Sequence, residues 1–500
     1  MVDRFYHFIT KKNRGTVMKR NKLTALAVFV VSVLGALCSC SEGYDKLLDK
    51  NDPVTVTVWH YYNGVQQTMF DEMVNEFNQT TGMEKGIIVE ALSKNTVSEL
   101  YDSVIAAVNN DVGAEELPDI FAAYSETAYL ADKAGKLADI GQYFTEEEQN
   151  EYIPGYMSEG RFAGDGTLKI FPVAKSTEIM ILNRTDWDKF AGSAGVTTDD
   201  LSTWEGLAEV SEKYYEYTDA LTPNILNDGK AFFGRDSVAN YMIIGAKQLG
   251  SPFESVSTDG TVTPVSDKNA VKRLWENYYV PLVKGYYAAN NRFRSDDAKT
   301  GDIIALICST TGAAYFPSEV TVDDDNSYPI ESMVLPVPDF EGTSPYVVQQ
   351  GAGMCVKGSD QKTEYACAVF LKWFTDETRN IKYAVNSGYL PVKKAASDYE
   401  KISSAESSSS RIIQDTLSIA INEINSRELY TAPPYDNSDK IRDFLGDYIS
   451  RTASEDKAAA QERIAGGENR TSVISSYTDD AAFEKWYEGF LSGYTSTAGR

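Results

Sequence analysis

Histidine and basic residues are scarce in this sequence. Only two of its 500 residues are histidine, His7 and His60. This scarcity excludes metal sites built from several imidazoles and catalytic mechanisms that need two histidines. Lysine and arginine number 47 against 73 acidic residues, which gives a net charge of -26. Because nucleic acid is itself strongly negative, we expect no nucleic-acid partner.

Motifs for nucleotide binding and for nucleophilic catalysis are also missing. The sequence contains no G-x-x-x-x-G-K-[ST] phosphate loop and no G-x-S-x-G nucleophile elbow. Beyond the first 40 residues it has three cysteines, Cys308, Cys355 and Cys367, each among apolar or small residues as buried thiols are. An odd number gives no disulfide framework, although one bridge stays possible. We predict no cofactor and no metal site.

The N-terminus has the pattern of an export signal. A basic segment, residues 19–22, precedes the apolar run 23–37, which is too short to span a membrane comfortably. The following Leu37-Cys38-Ser39-Cys40 resembles the bacterial lipobox. That resemblance implies that residues 1–40 are removed and that Cys40 is lipidated, which anchors the protein at the extracytoplasmic face of the cell membrane. A plain signal peptide or an anchor helix is the alternative. Removal of these residues lowers the net charge to -32.

Strands alternate with helices after this segment. Residues 54–58 (VTVTV) alternate strictly, as strands do, and residues 67–77 carry apolar side chains at helical spacing. Strand 86–91, helix 97–108 and strand 117–124 follow. This order predicts an α/β fold with a parallel sheet covered on both faces, where ligands bind beyond the carboxyl ends of the strands. The residues at those ends are Tyr61, Tyr62, Asn63, Tyr124, Ser125 and Glu126.

Residues 169–183 have the pattern of a crossing between two packed bodies. Two apolar runs, 170–173 and 179–182, are separated by a short polar patch. Because 500 residues exceed what one hydrophobic core serves, at least two lobes are expected. We therefore expect the chain to pass between lobes here, with Lys175, Ser176 and Glu178 facing the gap. An ordinary strand after a turn is the alternative.

Six motifs spread over the chain carry a family resemblance. In order they are VTVTVWHYYNG with EFN (54–64, 76–78), LPDIFAAY (117–124), FPVAKSTEIMILN (171–183), IALICSTTG (304–312), GAGMCVKGS (351–359), and FLKWFTDETRN with SGYLPVKK (370–380, 387–394). They resemble the extracellular solute-binding proteins of bacterial ABC importers, the family 1 group that takes sugars, oligosaccharides and glycerol phosphates. No single motif decides this; their common order does.

The resemblance implies a two-lobed periplasmic-binding-protein fold of type II, in which each lobe is a mainly parallel sheet flanked by helices. Residues 41–52 would be a tether. Residues 53–174 and 350–400 would form the first lobe, and residues 178–345 and 405–500 the second. A second crossing would lie at 347–354, and the ligand would lie in the cleft between the lobes.

The strand ends predict four ligand-binding positions, Tyr61, Tyr62, Asn63 and Tyr124, and the predicted crossing adds Glu178. The resemblance implies eight more, some of which also lie at a strand end or a crossing. They are Thr96, Ser125, Ser176, Thr310, Thr311, Gly351, Tyr389 and Arg442. Relatives that take glycerol phosphates carry an acidic residue where Ser125 stands, whereas here Glu126 comes one place later. Lys175 and Glu178 replace residues that are usually small, polar or proline.

Three functions are consistent with these observations. The first is a non-catalytic, monomeric substrate-binding subunit that captures a sugar or oligosaccharide and delivers it to ABC permease subunits. The second is the same subunit for glycerol 3-phosphate or a glycerophosphodiester, with Arg442 holding the anion. The third is a lipid-anchored glycan hydrolase, which the many Asp and Glu residues leave open because a catalytic carboxylate pair is a spatial feature.

Overall fold

The computed structural model describes residues 41–257, 261–405 and 410–499. The predicted signal segment and Cys40 lie outside the described residues. The strands are β1 Val54–His60, β2 Ile87–Ser93, β3 Ile120–Ala123, β4 Glu178–Asn183, β5 Phe233–Arg235, β6 Glu254–Val256, β7 Val262–Pro264, β8 Ala305–Ser309, β9 Glu319–Asp323, β10 Asn326–Pro329, β11 Ser332–Leu335, β12 Tyr346–Val348, β13 Gly353–Val356 and β14 Glu428–Tyr430.

Helices cover most of the remaining chain. The α-helices are Ser41–Tyr44, Gly64–Phe77, Met83–Lys85, Val97–Asn109, Ser125–Lys133, Glu146–Asn150, Pro154–Glu159, Arg184–Ala194, Trp204–Asp219, Val238–Gln248, Lys268–Lys284, Arg294–Thr300, Gln361–Phe374, Glu377–Ser387, Tyr399–Ser404, Arg411–Ser426, Ser438–Ala465, Arg470–Thr478 and Asp480–Thr497. In the part of the chain that the structure describes, no helix is long and apolar enough to cross a membrane.

The first sheet has the strand order β13-β3-β1-β2. β1 pairs in parallel with both β2 and β3, as the alternation of strands and helices predicts, and β13 joins antiparallel to β3. The carboxyl ends of β1 and β3 therefore meet at the same edge, which brings Tyr61 and Tyr124 together. Their rings stack with centroids 6.4 Å apart.

The second sheet differs from the prediction of a mainly parallel sheet in each lobe. Its order is β11-β4-β8-β5, and β4 runs antiparallel to both neighbours. Only β5 and β8 pair in parallel within it. The apolar pattern reports that a strand is buried, but the connections between strands decide its direction, so the residues of β4 could not reveal this.

Both faces of the second sheet are buried, which explains the uninterrupted apolar run of β4. Met180 and Leu182 point into a core with helices Trp204–Asp219 and Lys268–Lys284. Ile179 and Ile181, on the opposite face, pack with side chains of helix Arg411–Ser426. Burial of each such side chain stabilises the folded protein by about 1.5–3 kcal/mol.

Chain crossings join the two sheets. Residues up to Ala174 belong to the core of the first sheet, and Ile179 already belongs to that of the second. Between them, Ser176 bridges to Gln350, and the Thr177 hydroxyl donates to the Val348 carbonyl at 2.8 Å. A further connection, β14, pairs in parallel with β12. The sequence did not reveal this connection, because three residues are too few for a periodic pattern.

The predicted tether is packed against the first lobe from Tyr44 onward. The Tyr44 ring lies 5.0 Å from that of Tyr143 and 5.5 Å from that of Tyr365. Lys362 Nζ lies 2.7 Å from an Asp52 carboxylate oxygen. Aromatic contacts therefore hold the start of this segment to the lobe.

Candidate functional site: the cavity between the lobes

A cavity of about 720 Å³ lies between the two sheets. Its lining comes from both lobes and from the crossings between them. The first lobe contributes Tyr61, Asn63, Gln66, Tyr124 and Tyr389; the crossings contribute Ser176, Gln350 and Gly351; the second lobe contributes Asp236, Phe293, Ser295, Asp296, Lys299, Leu306, Cys308, Ser309, Thr311, Gly312, Tyr315 and Phe316. We call this space the interlobe cavity.

A tyrosine cluster forms the first-lobe wall of the interlobe cavity. The hydroxyls of Tyr61 and Tyr389 lie 3.2 Å apart, and the Tyr61 hydroxyl also accepts from the Ala352 amide at 3.3 Å. Burial raises the pKa of Tyr61 to about 12 and holds the pKa of Tyr389 well above its ordinary value. Both hydroxyls stay protonated at neutral pH, so each can donate and accept hydrogen bonds, as a sugar hydroxyl requires.

The crossings contribute small residues, Ser176 and Gly351, to the lining of the interlobe cavity. Ser176 shares a hydrogen bond of 2.9 Å with the buried Thr310 hydroxyl. Gly351 has a φ of +87°, and a Cβ there would stand 3.0 Å from the Ala174 carbonyl. Only glycine fits this conformation without strain. Because the two crossings pack closely and carry small residues here, the interlobe cavity beside them stays open for a ligand.

Aromatic rings from the second lobe face the interlobe cavity with much of their surface uncovered. Phe293 is 52% exposed and Tyr315 is 68% exposed, although apolar rings are usually more deeply buried. Uncovered aromatic faces are surfaces on which the apolar side of a sugar ring can stack. Their periodicity in the sequence does not distinguish them from core aromatics, so sequence reasoning missed both.

The charges in the interlobe cavity are few and mostly negative. Among its described lining residues Lys299 is the single cation, and Asp236 and Asp296 carry carboxylates. Burial raises the pKa of Asp236, which accepts a hydrogen bond of 2.9 Å from the Arg294 amide. A cavity with this balance suits a neutral ligand better than a phosphate.

Seven of the thirteen predicted site residues line the interlobe cavity. They are Tyr61, Asn63, Tyr124, Ser176, Thr311, Gly351 and Tyr389. Thr310 stands directly behind Ser176. These residues were predicted from strand ends, from the crossings and from the STTG and SGYLPV motifs, and the structure brings them to one cavity.

Tyr62 and Thr96 are not brought to the interlobe cavity. Tyr62 is 1% exposed and packs its ring 5.1 Å from Phe70, because successive residues of an extended segment point to opposite sides. Thr96 is the N-cap of helix Val97–Asn109, where its hydroxyl accepts from the Glu99 amide at 3.1 Å. Its role in the structure is that of a helix cap.

Glu178, which is buried, and Arg442, which is half-buried, belong to a polar network rather than to the wall of the interlobe cavity. Arg235 donates to Glu178 at 2.6 Å, and Asn240 donates to the other Glu178 oxygen at 2.9 Å. Arg442 donates to the Asn240 amide oxygen at 2.6 Å. The Asn240 amide nitrogen also reaches Gln350, 3.1 Å away. Gln350 therefore connects this network to the interlobe cavity.

Lys175 and Ser125 lie on the other face of the second crossing. The Lys175 ammonium forms an ion pair with Glu159 that is almost fully buried, so it does not face the cavity as predicted. Ser125, Glu159 and Gln349 line a smaller cavity of about 270 Å³. Gln349 and Gln350 are neighbours in an extended chain and point to opposite sides. We call this space the rear cavity.

His60 is fully buried and lies outside the interlobe cavity. Its Nδ1 accepts from the Tyr62 amide at 3.2 Å, and its Nε2 has no hydrogen-bond partner among the described residues. Burial lowers the pKa of His60 to about 4. The imidazole is therefore neutral at physiological pH and acts as a packing residue.

Comparison with known proteins identifies the family. Residues 72–408 match the model of the bacterial extracellular solute-binding protein family. The chain belongs to this family. The resemblance found in the sequence motifs is thereby confirmed.

This solute-binding protein is similar in sequence to a periplasmic protein and similar in fold to many solved structures. The sn-glycerol-3-phosphate-binding periplasmic protein UgpB of Rhizobium meliloti is 24% identical over 360 residues, which cover 69% of this chain and 76% of that protein. The cyclic alpha-maltosyl-1,6-maltose binding protein of Arthrobacter globiformis has a TM-score of 0.61 at 17% identity, covering 88% of this chain and 99% of its own. UgpB of Mycobacterium tuberculosis, in complex with glycerophosphocholine, has a TM-score of 0.61 at 16% identity with the same coverage. These similarities confirm the two-lobed α/β fold.

Proposed function

We propose that this solute-binding protein is the lipid-anchored substrate-binding subunit of an ABC importer for a neutral sugar or oligosaccharide. It would be held by Cys40 at the extracytoplasmic face of the membrane, would act as a monomer, and would deliver its ligand to permease subunits. The observation that carries the proposal is the lining of the interlobe cavity. Protonated tyrosine hydroxyls face two exposed aromatic rings there, and only one of the described lining residues is cationic.

A carbohydrate matches this lining group by group. Tyrosine and serine hydroxyls and the Gln350 amide exchange hydrogen bonds with sugar hydroxyls, and Phe293 and Tyr315 stack on the ring faces. A volume of about 720 Å³ holds a ligand larger than one sugar ring. The similarity in fold to the Arthrobacter binding protein for a cyclic maltosyl-maltose supports the same class.

Glycerol 3-phosphate or a glycerophosphodiester is the second candidate. It is favoured by the Rhizobium meliloti relative, which is named for glycerol 3-phosphate. Arg442, expected to hold the anion, does not line the interlobe cavity and donates to Asn240 instead. A phosphate in the interlobe cavity would have to rely on Lys299 against Asp236 and Asp296, so we place the sugar first.

A ligand panel tests the proposal. Thermal unfolding of residues 41–500 would be measured with mono- and oligosaccharides, glycerol phosphates and glycerophosphodiesters. A ligand at about one hundred times its dissociation constant stabilises the fold by about 2.7 kcal/mol. A rise in Tm with one glycan class supports the proposal, and a rise with phosphorylated glycerols alone supports the second candidate.

Product analysis of the same mixtures tests for the hydrolase. We expect saturable binding without release of smaller glycans, because the family consists of binding proteins. Appearance of cleaved product at a steady rate would establish an enzyme and overturn the proposal.

A further inference from the structure

A second large cavity, of about 570 Å³, lies wholly within the second lobe. It is bounded by the loop after helix Trp204–Asp219, by the end of helix Lys268–Lys284, and by helices Ser438–Ala465 and Arg470–Thr478. It shares no residue with the interlobe cavity. The last two helices follow the residues that the family model matches. We call this space the lobe-two cavity.

Positive charge is concentrated around the lobe-two cavity. Lys230, Lys284, Lys457 and Arg470 line it, and Asp302 is the one carboxylate among its described lining residues. The protein has a net charge of -26, so four cations around one cavity form a local positive charge in a protein that is negative as a whole. Within the described ranges, none of the four forms an ion pair with a carboxylate.

Backbone carbonyls and aromatic rings hold two of these cations in place. The Arg470 guanidinium donates to the Lys284 carbonyl at 2.8 Å and lies 4.9 Å from the centre of the Tyr215 ring. The Lys457 ammonium donates to the Tyr287 carbonyl at 3.2 Å. A guanidinium has five N–H donors and an ammonium has three. These contacts therefore leave donors on both groups for a ligand.

Helix ends explain part of this arrangement. Cations near a helix C-terminus stabilise its free carbonyls, and Arg470 does this for helix Lys268–Lys284. Lys457, however, lies about two turns before the end of helix Ser438–Ala465, and burial lowers its pKa. The Asp297 and Asp302 carboxylates attract this ammonium without forming an ion pair with it, so part of the cost of its burial remains. A bound anion would remove that cost.

We propose that the lobe-two cavity binds a small anion bearing phosphate or carboxylate groups. The anionic groups meet Lys230, Lys284, Lys457 and Arg470. An apolar part of the molecule packs against the apolar residues of the same lining, Leu226, Val283, Ile464 and Ile474. The site is independent of the interlobe cavity, so it stands whether or not the transported solute is a sugar.

Two anions without any glycan part test this site. Inorganic phosphate and citrate would be titrated into residues 41–500 by calorimetry at constant ionic strength. We expect saturable binding of one equivalent of at least one of them, with a rise in Tm. Phosphate alone would identify a phosphate site, and citrate alone a carboxylate site. No saturation by either anion up to about 10 mM would overturn the proposal.

Charge-removing variants locate the binding. Lys230→Met/Lys457→Met should weaken anion binding about tenfold or more, because charge-assisted hydrogen bonds are lost. Lys485→Met, which removes an exposed cation on helix Asp480–Thr497, should leave it unchanged. Equal affinities in both variants would overturn the assignment.

Lys230→Met alone leaves the partly buried Lys457 in place, so this variant tests the site without disturbing the packing around Lys457. Lys230 is exposed, and its side chain forms no hydrogen bond among the described residues. Lys230→Met alone should therefore fold and still weaken the anion at least threefold. Glycan binding in the interlobe cavity should be unchanged in all these variants. A second double variant, Lys230→Met/Lys284→Met, also keeps Lys457. Unchanged anion affinity in it would contradict the proposal.

Discussion

Tyr315 is the most exposed aromatic residue lining the interlobe cavity, at 68%. An exposed ring contributes little to folding, so its removal separates binding from stability. We expect Tyr315→Ala to weaken glycan binding about tenfold, which corresponds to the energy of one aromatic contact. Its free energy of unfolding should change by less than about 0.5 kcal/mol.

Tyr399→Ala is the matched control for this change. Tyr399 is 45% exposed and does not line the interlobe cavity. Calorimetric titration with the glycan from the panel should show full affinity in this variant. A similar loss in both variants, or in neither, would contradict the role given to Tyr315.

His60 makes the stability of the protein depend on pH. Its pKa is about 4 in the folded protein against an ordinary 6.5, so the unfolded chain binds a proton first as pH falls. Stability is therefore present above pH 6.5 and is lost as pH falls from 6.5 toward 4, by about 3 kcal/mol.

The His60→Gln variant checks this assignment. Urea unfolding at several pH values should show a shallower loss between pH 6.5 and 4 in the variant than in the wild type, because carboxylates titrate equally in both. Identical slopes would mean that His60 does not carry the effect.

At the scale of elements, the crossings depend on charges buried between them. The side chains of Lys175 and Glu159 are 1% and 4% exposed. Lys175→Met leaves the Glu159 carboxylate buried and unpaired, which should destabilise the protein by about 3–5 kcal/mol. The double variant Lys175→Met/Glu159→Gln should recover much of this loss.

Denaturant unfolding measures both changes. Lys189→Met is the control, because it removes a pair with Asp186 in which the lysine side chain is 60% exposed. Such surface pairs contribute at most about 1 kcal/mol. If Lys175→Met lowered the free energy of unfolding no more than Lys189→Met does, the buried ion pair would not stabilise the crossing.

Across the whole molecule, a second group of contacts joins the lobes away from the crossings. Lys133 and Tyr129, on a helix of the first lobe, reach an Asp436 carboxylate oxygen at 2.5 and 3.2 Å. Tyr101 reaches Asp439 at 3.3 Å. Both aspartates lie where the chain enters helix Ser438–Ala465 of the second lobe. Hinge motion of the lobes would break these bonds.

Asp436→Asn should therefore favour the separated lobes and weaken glycan binding. The side chains of Lys133 and Asp436 are 56% and 61% exposed. The expected effect is therefore small, about two- to fivefold in the Kd for the glycan. Calorimetry measures it. Asp480→Asn, which removes an exposed pair with Lys272 within the second lobe, should have no effect; equal effects would argue against a link between these contacts and binding.

The sequence by itself determined the family, the two-lobed α/β fold and the location of the cavity. Strand periodicity and motif order are local properties, and residues at strand ends and crossings, such as Tyr61, Ser176 and Gly351, inherit their position directly from them. The lobe boundaries and the lipid anchor at Cys40 stay predictions.

Tertiary structure alone decided which side chains share a space. Strand direction in the second sheet, the connection at β14, and the exposure of Phe293 and Tyr315 depend on how distant segments pack, which no local pattern records. The same holds for Arg442, whose guanidinium is bonded to Asn240, 202 residues away in the chain. The solvent exposure of a side chain and the charges that lie around it depend on the folded surface, so a local sequence pattern cannot specify them.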